Sequence, residues 1–463
     1  MSVRRRALTF GGAAVLGHLS QFAWLALGSR TMSGETLGAV LAAQVVYGFL
    51  QIVIDNGPGL YGARLAAAGR INAQVRGSIV RVRLELGVVC ALLSLAVGAA
   101  GGTRSLEAIA PFAAALVLFA ALNYWEAYGL GDVRPWSAYV VLRAAVPAVL
   151  ALVCFAFHRS FPSALAGVAE CAVILVVAGA FGLFASGTVR GALSASRSPW
   201  RSVSRIGLPV VVGQFGFACG TIALNAAGAA TAAAAFAVSV RLVTGLNQLT
   251  GTLATALFPH LAASSVRGEL DLHGVRLAAR ALVVLSFGAA AVVMYFPALV
   301  TSVLLAHAAG TADTAVIVAV ATSCATGFVV LFTLVLLARN GENAFLRVYG
   351  SATAVIVVGA LGVALSPSPG AAAMAYVFGV GQLAGMSVLA LYAGAQIPQA
   401  TGVVRRTAAA AALLAGLGFV AGAIPAARPA AAVVAAASAT AVAAAPVTRR
   451  RRLGLPAETI SRA

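Results

Sequence analysis

Arg241, Thr244, Gln248 and Thr252 follow one another at spacings of three, four and four residues, and Gln44, Tyr47, Gln51 and Asp55 show the same spacings 197 positions earlier. At about 100° per residue, each set lies along one face of an α-helix. The opposite face of the later helix carries Leu242, Leu246, Leu249, Leu253 and Leu257. A row of amides and hydroxyls with one guanidinium supplies donors and acceptors for holding a polar or anionic group. The common offset also aligns Gly48 with Gly245 and Gln51 with Gln248.

Further polar side chains mark the apolar segment that precedes each stripe: His18 and Gln21 in the first, Gln214, Thr221 and Asn225 in the second. Two polar-faced helix pairs imply a central cavity, with Arg241, Gln248, Thr244, Gln44, Gln51, His18, Gln21, Gln214 and Asn225 as candidate substrate-binding residues. Any one Gln, Thr or Asn can instead serve a helix–helix hydrogen bond worth about 0.6–2 kcal/mol. Arg241 lies deep in an apolar segment, where a charge costs at least about 2.5–3.5 kcal/mol on insertion scales. Two readings of it stand: solute binding, or half of a buried ion pair. Arg143 is expected in a structural salt bridge with Glu126 or Glu85. Glu170 has no evident partner and, with Asp55, is a candidate for ion coupling; Asp55 can equally cap the turn at Asn56-Gly57-Pro58-Gly59.

What is missing narrows the chemistry. All 31 basic residues are arginine, so a Walker-type phosphate loop and Schiff-base chemistry, which require lysine, are excluded. Cys90, Cys154, Cys171, Cys219 and Cys324 lie singly in apolar stretches, and His18, His158, His260, His273 and His307 form no H-E-x-x-H cluster. No catalytic residue, metal or cofactor is expected, and the chain is not read as an enzyme.

The elements that position these residues follow from composition. The chain has 463 residues, 61% hydrophobic and 9% charged, against roughly 25% charge in a soluble domain. Apolar windows between turn signals give about fourteen membrane helices. Six cover 7–29, 37–55, 79–100, 106–128, 136–157 and 163–185, and six more cover 206–226, 230–258, 277–304, 312–338, 347–366 and 370–394. Ala-rich segments at 406–424 and 429–447 add two. The fold class is therefore an all-α polytopic membrane protein: two six-helix lobes related by an internal repeat, plus two C-terminal helices. The boundaries are 1–190, a linker at 191–205, 206–400, and 401–463 with its basic tail. A second correspondence, at an offset of 210, aligns Gly131, Asp132 and Tyr139 with Gly341, Glu342 and Tyr349.

Arginines fix the expected sidedness. With the N-terminus inside, 25 fall in cytoplasmic segments and four (Arg30, Arg104, Arg159, Arg428) outside, as the positive-inside rule demands. Both termini are expected in the cytoplasm of a multi-pass protein of the plasma membrane. The net charge of +19 then faces anionic lipid, with no nucleic-acid partner implied. The segment from Ala7 to Gly28 exceeds a signal-peptide core of about 7–15 residues and is read as a membrane helix.

Three groups of residues resemble the polysaccharide or oligosaccharyl-lipid flippases of the superfamily that also holds multidrug extruders. One is Gly28-Ser29-Arg30, Ser33-Gly34-Glu35-Thr36-Leu37-Gly38 and Asp55-Asn56-Gly57. Another is Ile206-Gly207-Leu208-Pro209 with the Phe236-to-Leu242 run and Leu257-Phe258-Pro259. The last is Gly341-Glu342 with Pro369-Gly370-Ala371-Ala372-Ala373. The resemblance spans approximately residues 8 to 394. It implies alternating access and export of a polyprenyl-diphosphate-linked oligosaccharide, with membrane lipids, that saccharide and polysaccharide-assembly membrane proteins as partners. A multidrug cation antiporter is the alternative, and would favour carboxylates deep in the N-terminal lobe. A membrane glycan polymerase or ligase would call for a large external loop, whereas the external loops have roughly a dozen residues or fewer.

Overall fold

The computed structural model describes residues 3–67, 69–130, 132–183, 199–247, 272–305, 309–337, 342–397 and 400–444. Among these every regular element is helical. The first half comprises α1 (Val3–Thr31), α2 (Gly34–Asn56), α3 (Pro58–Ala67), α4 (Ala73–Ala100), α5 (Thr103–Ala120), α6 (Tyr124–Gly129), α7 (Arg134–Ala156) and α8 (Leu165–Phe181). The second half comprises α9 (Trp200–Ala226), α10 (Ala230–Asn247), α11 (Leu272–Tyr295), α12 (Pro297–Leu304), α13 (Ala309–Leu337), α14 (Glu342–Ala364) and α15 (Ala371–Gln396). The accessory pair α16 (Thr401–Ala423) and α17 (Arg428–Ala444) follows. Eleven of the described helices are long and apolar enough to cross a membrane. The chain is a multi-pass membrane protein.

Local chemistry sets the breaks. Ser33 Oγ accepts from the Thr36 amide at 3.3 Å to start α2, and Asn72 Oδ1 accepts from the Val75 amide at 2.8 Å to start α4; both are ordinary N-caps. Pro58 and Pro297 open α3 and α12, positions at which the missing amide hydrogen costs nothing. Two expected boundaries are corrected. The helix read over 106–128 is α5 plus the short α6, divided at Ala121–Asn123, where the Asn123 amide donates to Leu183 O. The helix read over 277–304 is α11 plus α12, divided at Phe296.

The halves repeat the same neighbours. In the first, α1 packs on α7, α4 on α5 and α5 on α8; in the second, α9 packs on α14, α11 on α13 and α13 on α15. In addition, α16 lies against α13 and α17 against α11. This buries nearly all of Ala312–Phe332 in α13, which suits its small side chains, among them Thr322, Ser323, Cys324 and Ala325. Close helix approach in a membrane needs such residues.

End-to-end contacts distinguish two faces of the bundle. Arg76–Glu126, Gly57–Gly207 and Arg280–Ala443 O lie toward the face that holds the N-terminus; Arg30–Val303 O, Arg104–Glu35 and Phe161–Thr31 O lie at the opposite face. The lobes meet along α2 and its neighbours α9 and α10. At one end of this seam a Cβ on Gly38 would stand 2.4 Å from Ala230 O; at the other, a Cβ on Gly207 would stand 2.8 Å from Gly57 Cα.

Candidate functional site

A cavity of about 470 Å³ lies between the lobes, walled by α1, α2, α7 and α8 on one side and α9 and α10 on the other. Its lining runs from Trp24 and Gln44 in mid-bundle to Asp55 and Asn56 at the N-terminal face. Of the sequence-predicted substrate residues, His18, Gln21, Gln44, Gln51, Gln214, Arg241 and Thr244 line it. Gln248 lies outside the described residues. Asn225 is a correction: it sits beside Gly101 at the opposite face. It is eleven residues beyond Gln214 on α9, and at 1.5 Å per residue that is about 16 Å up the helix.

Arg241 reaches out of the second lobe into the first. Its Nη2 donates to Gln44 Oε1 at 2.5 Å, and its guanidinium carbon stands 5.7 Å from the centroid of the Trp24 ring. No carboxylate among the described residues forms an ion pair with it. Trp24 is 2% exposed and its indole Nε1–H has no partner among the described residues. Around Arg241 the cavity therefore offers donors that outnumber acceptors, with a positive charge left uncompensated. Gln44 and Arg241 are the very positions that the 197-residue offset superimposes.

Glu170, 3% exposed, forms the centre of a second cluster. Its Oε1 accepts from Tyr47 at 2.8 Å and from Tyr139 at 2.5 Å; its Oε2 lies 3.6 Å from Arg143 Nε. Arg143 Nη1 donates to Gln51 Oε1 at 2.6 Å, and Gln51 Nε2 donates to the Tyr139 hydroxyl at 2.7 Å. The Arg143 guanidinium also stands 5.1 Å from the Tyr47 ring centroid, a cation–π distance.

The expected pairing of Arg143 with Glu126 or Glu85 is thereby corrected. Glu126 lies on α6, beyond the end of α5, where Arg76 takes it in two hydrogen bonds. Glu85 faces outward and pairs with Arg81 one turn back on α4 at 2.9 Å. Glu170, read as partnerless, has three partners. Asp55 is also neutralised: fully buried Arg83 donates to it at 2.5 Å and to the carbonyls of Phe119 and Ala120. Sequence reasoning passed over Trp24, Tyr139 and Arg83 as site residues. Tyr47 stands on the α2 stripe, and Tyr139 aligns with Tyr349 in the internal repeat.

No protein-family model matches the chain, and no curated protein sequence matches it. Solved structures do. A multidrug-resistance MATE family transporter of the MOP superfamily in an inward-facing conformation aligns with TM-score 0.64 at 15% identity, over 88% of this chain and 100% of that one. The fold is that of the MATE transporters. An outward-facing MATE structure aligns at 0.58 with 18% identity, over 88% and 98%. A MOP superfamily transporter from Pyrococcus furiosus, described as having a binding pocket of reverse polarity that suggests a different function, aligns at 0.56 with 14% identity, over 87% and 97%. In this MATE-type frame the cavity lies between the two lobes.

Proposed function

We propose that the protein is a flippase that carries a lipid-linked, diphosphate-bearing saccharide from the inner to the outer leaflet by alternating access. The observation that carries the reading is Arg241, a guanidinium at the lobe interface whose described partners are a neutral amide and an aromatic ring. A buried charge without a counter-ion is costly. An anionic headgroup would supply that counter-ion, in paired charge-assisted hydrogen bonds.

A second feature supports an amphipathic solute. Beside His18, a pocket of about 240 Å³ is walled by Val15, Leu19 and Phe22 of α1, Leu242 and Leu246 of α10, and Val293 of α11. Val15 and Leu19 are exposed on the outside of the bundle, so an apolar chain can pass between α1 and α10 while its headgroup stays in the polar cavity. Leu242 and Leu246 of α10 then line the path of the lipid tail.

The lobes at 1–190 and 206–400 are the moving bodies in this reading, linked through 191–205, with 401–463 carried by the second. The membrane is the plasma membrane, with both termini in the cytoplasm, and the partners are the lipid-linked saccharide and the enzymes that assemble its polysaccharide. A multidrug cation antiporter of the same fold is disfavoured, because the buried carboxylate it would use, Glu170, already faces Arg143. The test is a reconstituted vesicle assay that scores movement of a labelled polyprenyl-diphosphate sugar. Flipping above protein-free vesicles is expected; its absence together with efflux of lipophilic cations would replace this reading with the antiporter.

A further inference from the structure

We infer that Arg143 is a second anion-binding group of this cavity, held in reserve by Glu170 and released to the headgroup when Glu170 takes up a proton. The inference rests on the headgroup reading above and adds what regulates it. Gln44 holds Arg241 of the second lobe; Gln51, seven residues further along α2, holds Arg143 of the first. The two glutamines are therefore about 10 Å apart along the helix axis, and Gly48 lies between them. A Cβ there would stand 3.8 Å from Arg143 Nη2. The helix is thus bare where a group bridging the two guanidinium ions would lie.

The Arg143–Glu170 contact is built to be exchanged. At 3.6 Å it is too long for a hydrogen bond, whose heavy atoms lie about 2.7–3.2 Å apart. The tight bond of Arg143 is to neutral Gln51, and Glu170 keeps its two phenol donors whether or not Arg143 stays. With Glu170 ionised, the two guanidinium charges and one carboxylate leave the cavity with a single net positive charge. Protonation leaves both guanidinium charges free, which matches a doubly ionised diphosphate diester. The proton comes from water in the cavity, whose lining includes Asp55 and Asn56, and the anion takes the place of the carboxylate at Arg143. One proton and one headgroup therefore bind together.

The groups facing Glu170 are Tyr47 from α2 and Tyr139 and Arg143 from α7; α5 presents Phe112, and Cys171 beside Glu170 donates to Pro111 O. Asp55 is committed to Arg83. His18 also lines the cavity, close to Gly245 on α10.

The experiment is calorimetric titration of the purified, detergent-solubilised full chain with a short-chain prenyl-diphospho-N-acetylglucosamine, from mildly acid to mildly alkaline pH. This diester does not itself titrate across that range. Wild type is expected to bind more tightly as pH falls, by up to about tenfold per pH unit for one linked proton. Glu170→Gln, which keeps an acceptor for both phenols, should bind tightly at every pH. Arg143→Gln should bind weakly at every pH. A flat wild-type profile, or a slope that persists in Arg143→Gln, overturns the inference even if Glu170→Gln does not fold. Weak binding by a folded Glu170→Gln does the same. Arg241→Gln separates the two levels: undiminished binding there removes the headgroup reading itself, whereas weakened binding beside an unaltered Arg143→Gln removes only the role of Arg143.

Discussion

Replacing Arg241 by Gln removes a charge that no described carboxylate balances, so membrane insertion and folded yield should hold. Headgroup transport should fall by about ten- to a hundredfold, the worth of a hydrogen bond to a charged group. Arg241→Lys should restore only part of the activity, because a point charge replaces a planar fork. Folded protein and sugar-lipid movement measured on the same vesicles check both outcomes; full transport by Arg241→Gln would sink the binding role. At this scale the α2 and α10 stripes were legible, since helical spacing alone puts Gln44, Gln51, Arg241 and Thr244 on cavity-facing sides. The partners of Glu170 were not. They come from α2 and α7, and which helix packs on which is a tertiary fact that spacing within one segment does not carry.

Among the elements, the seam between α2 and α9 is the most sensitive to added volume. Gly207→Val should destabilise the fold by about 1–3 kcal/mol through overpacking against Gly57. Gly288→Val on α11, where a Cβ meets nothing, should leave thermal unfolding in detergent unchanged to within about 0.5 kcal/mol; equal effects at the two sites would refute the close approach. The turn between α6 and α7 carries a pH-dependent contact. Arg134 donates to Asp132 from Nη2 at 2.8 Å and from Nε at 2.9 Å, which holds the Asp132 carboxyl below its usual range. A lowered carboxyl contributes above its unfolded-state value, and the contribution fades as pH falls through the folded value. Asp132→Asn should therefore unfold slightly earlier at neutral pH and no earlier in strong acid, as read from unfolding midpoints across pH. The order of membrane helices was legible from hydropathy. The break at Ala121–Asn123 was not, because Leu122, Tyr124 and Trp125 continue the apolar run while turning inward to the core.

For the whole molecule, sidedness is the first thing to measure. In a cysteine-free background, cysteine at Ser368 should react with an impermeant maleimide from outside the cell, and cysteine at Gln74 only after lysis. The reverse pattern would invert the arginine argument. The internal repeat was legible as two constant offsets, and the packing of α1 on α7 and of α9 on α14 gives it a physical form. The contact between Gln44 and Arg241 carries the repeat further. Equivalent residues of two related halves can touch each other only beside the axis that relates them. Had the halves once been separate, identical chains, that spot would have held two glutamines or two arginines, and two arginines in contact repel. Once the two halves differ in sequence, one position can be the cation and the other its cradle. The pairing thus depends on the two halves having different residues at this position, and it places the site where rocking of the lobes displaces a bound group least.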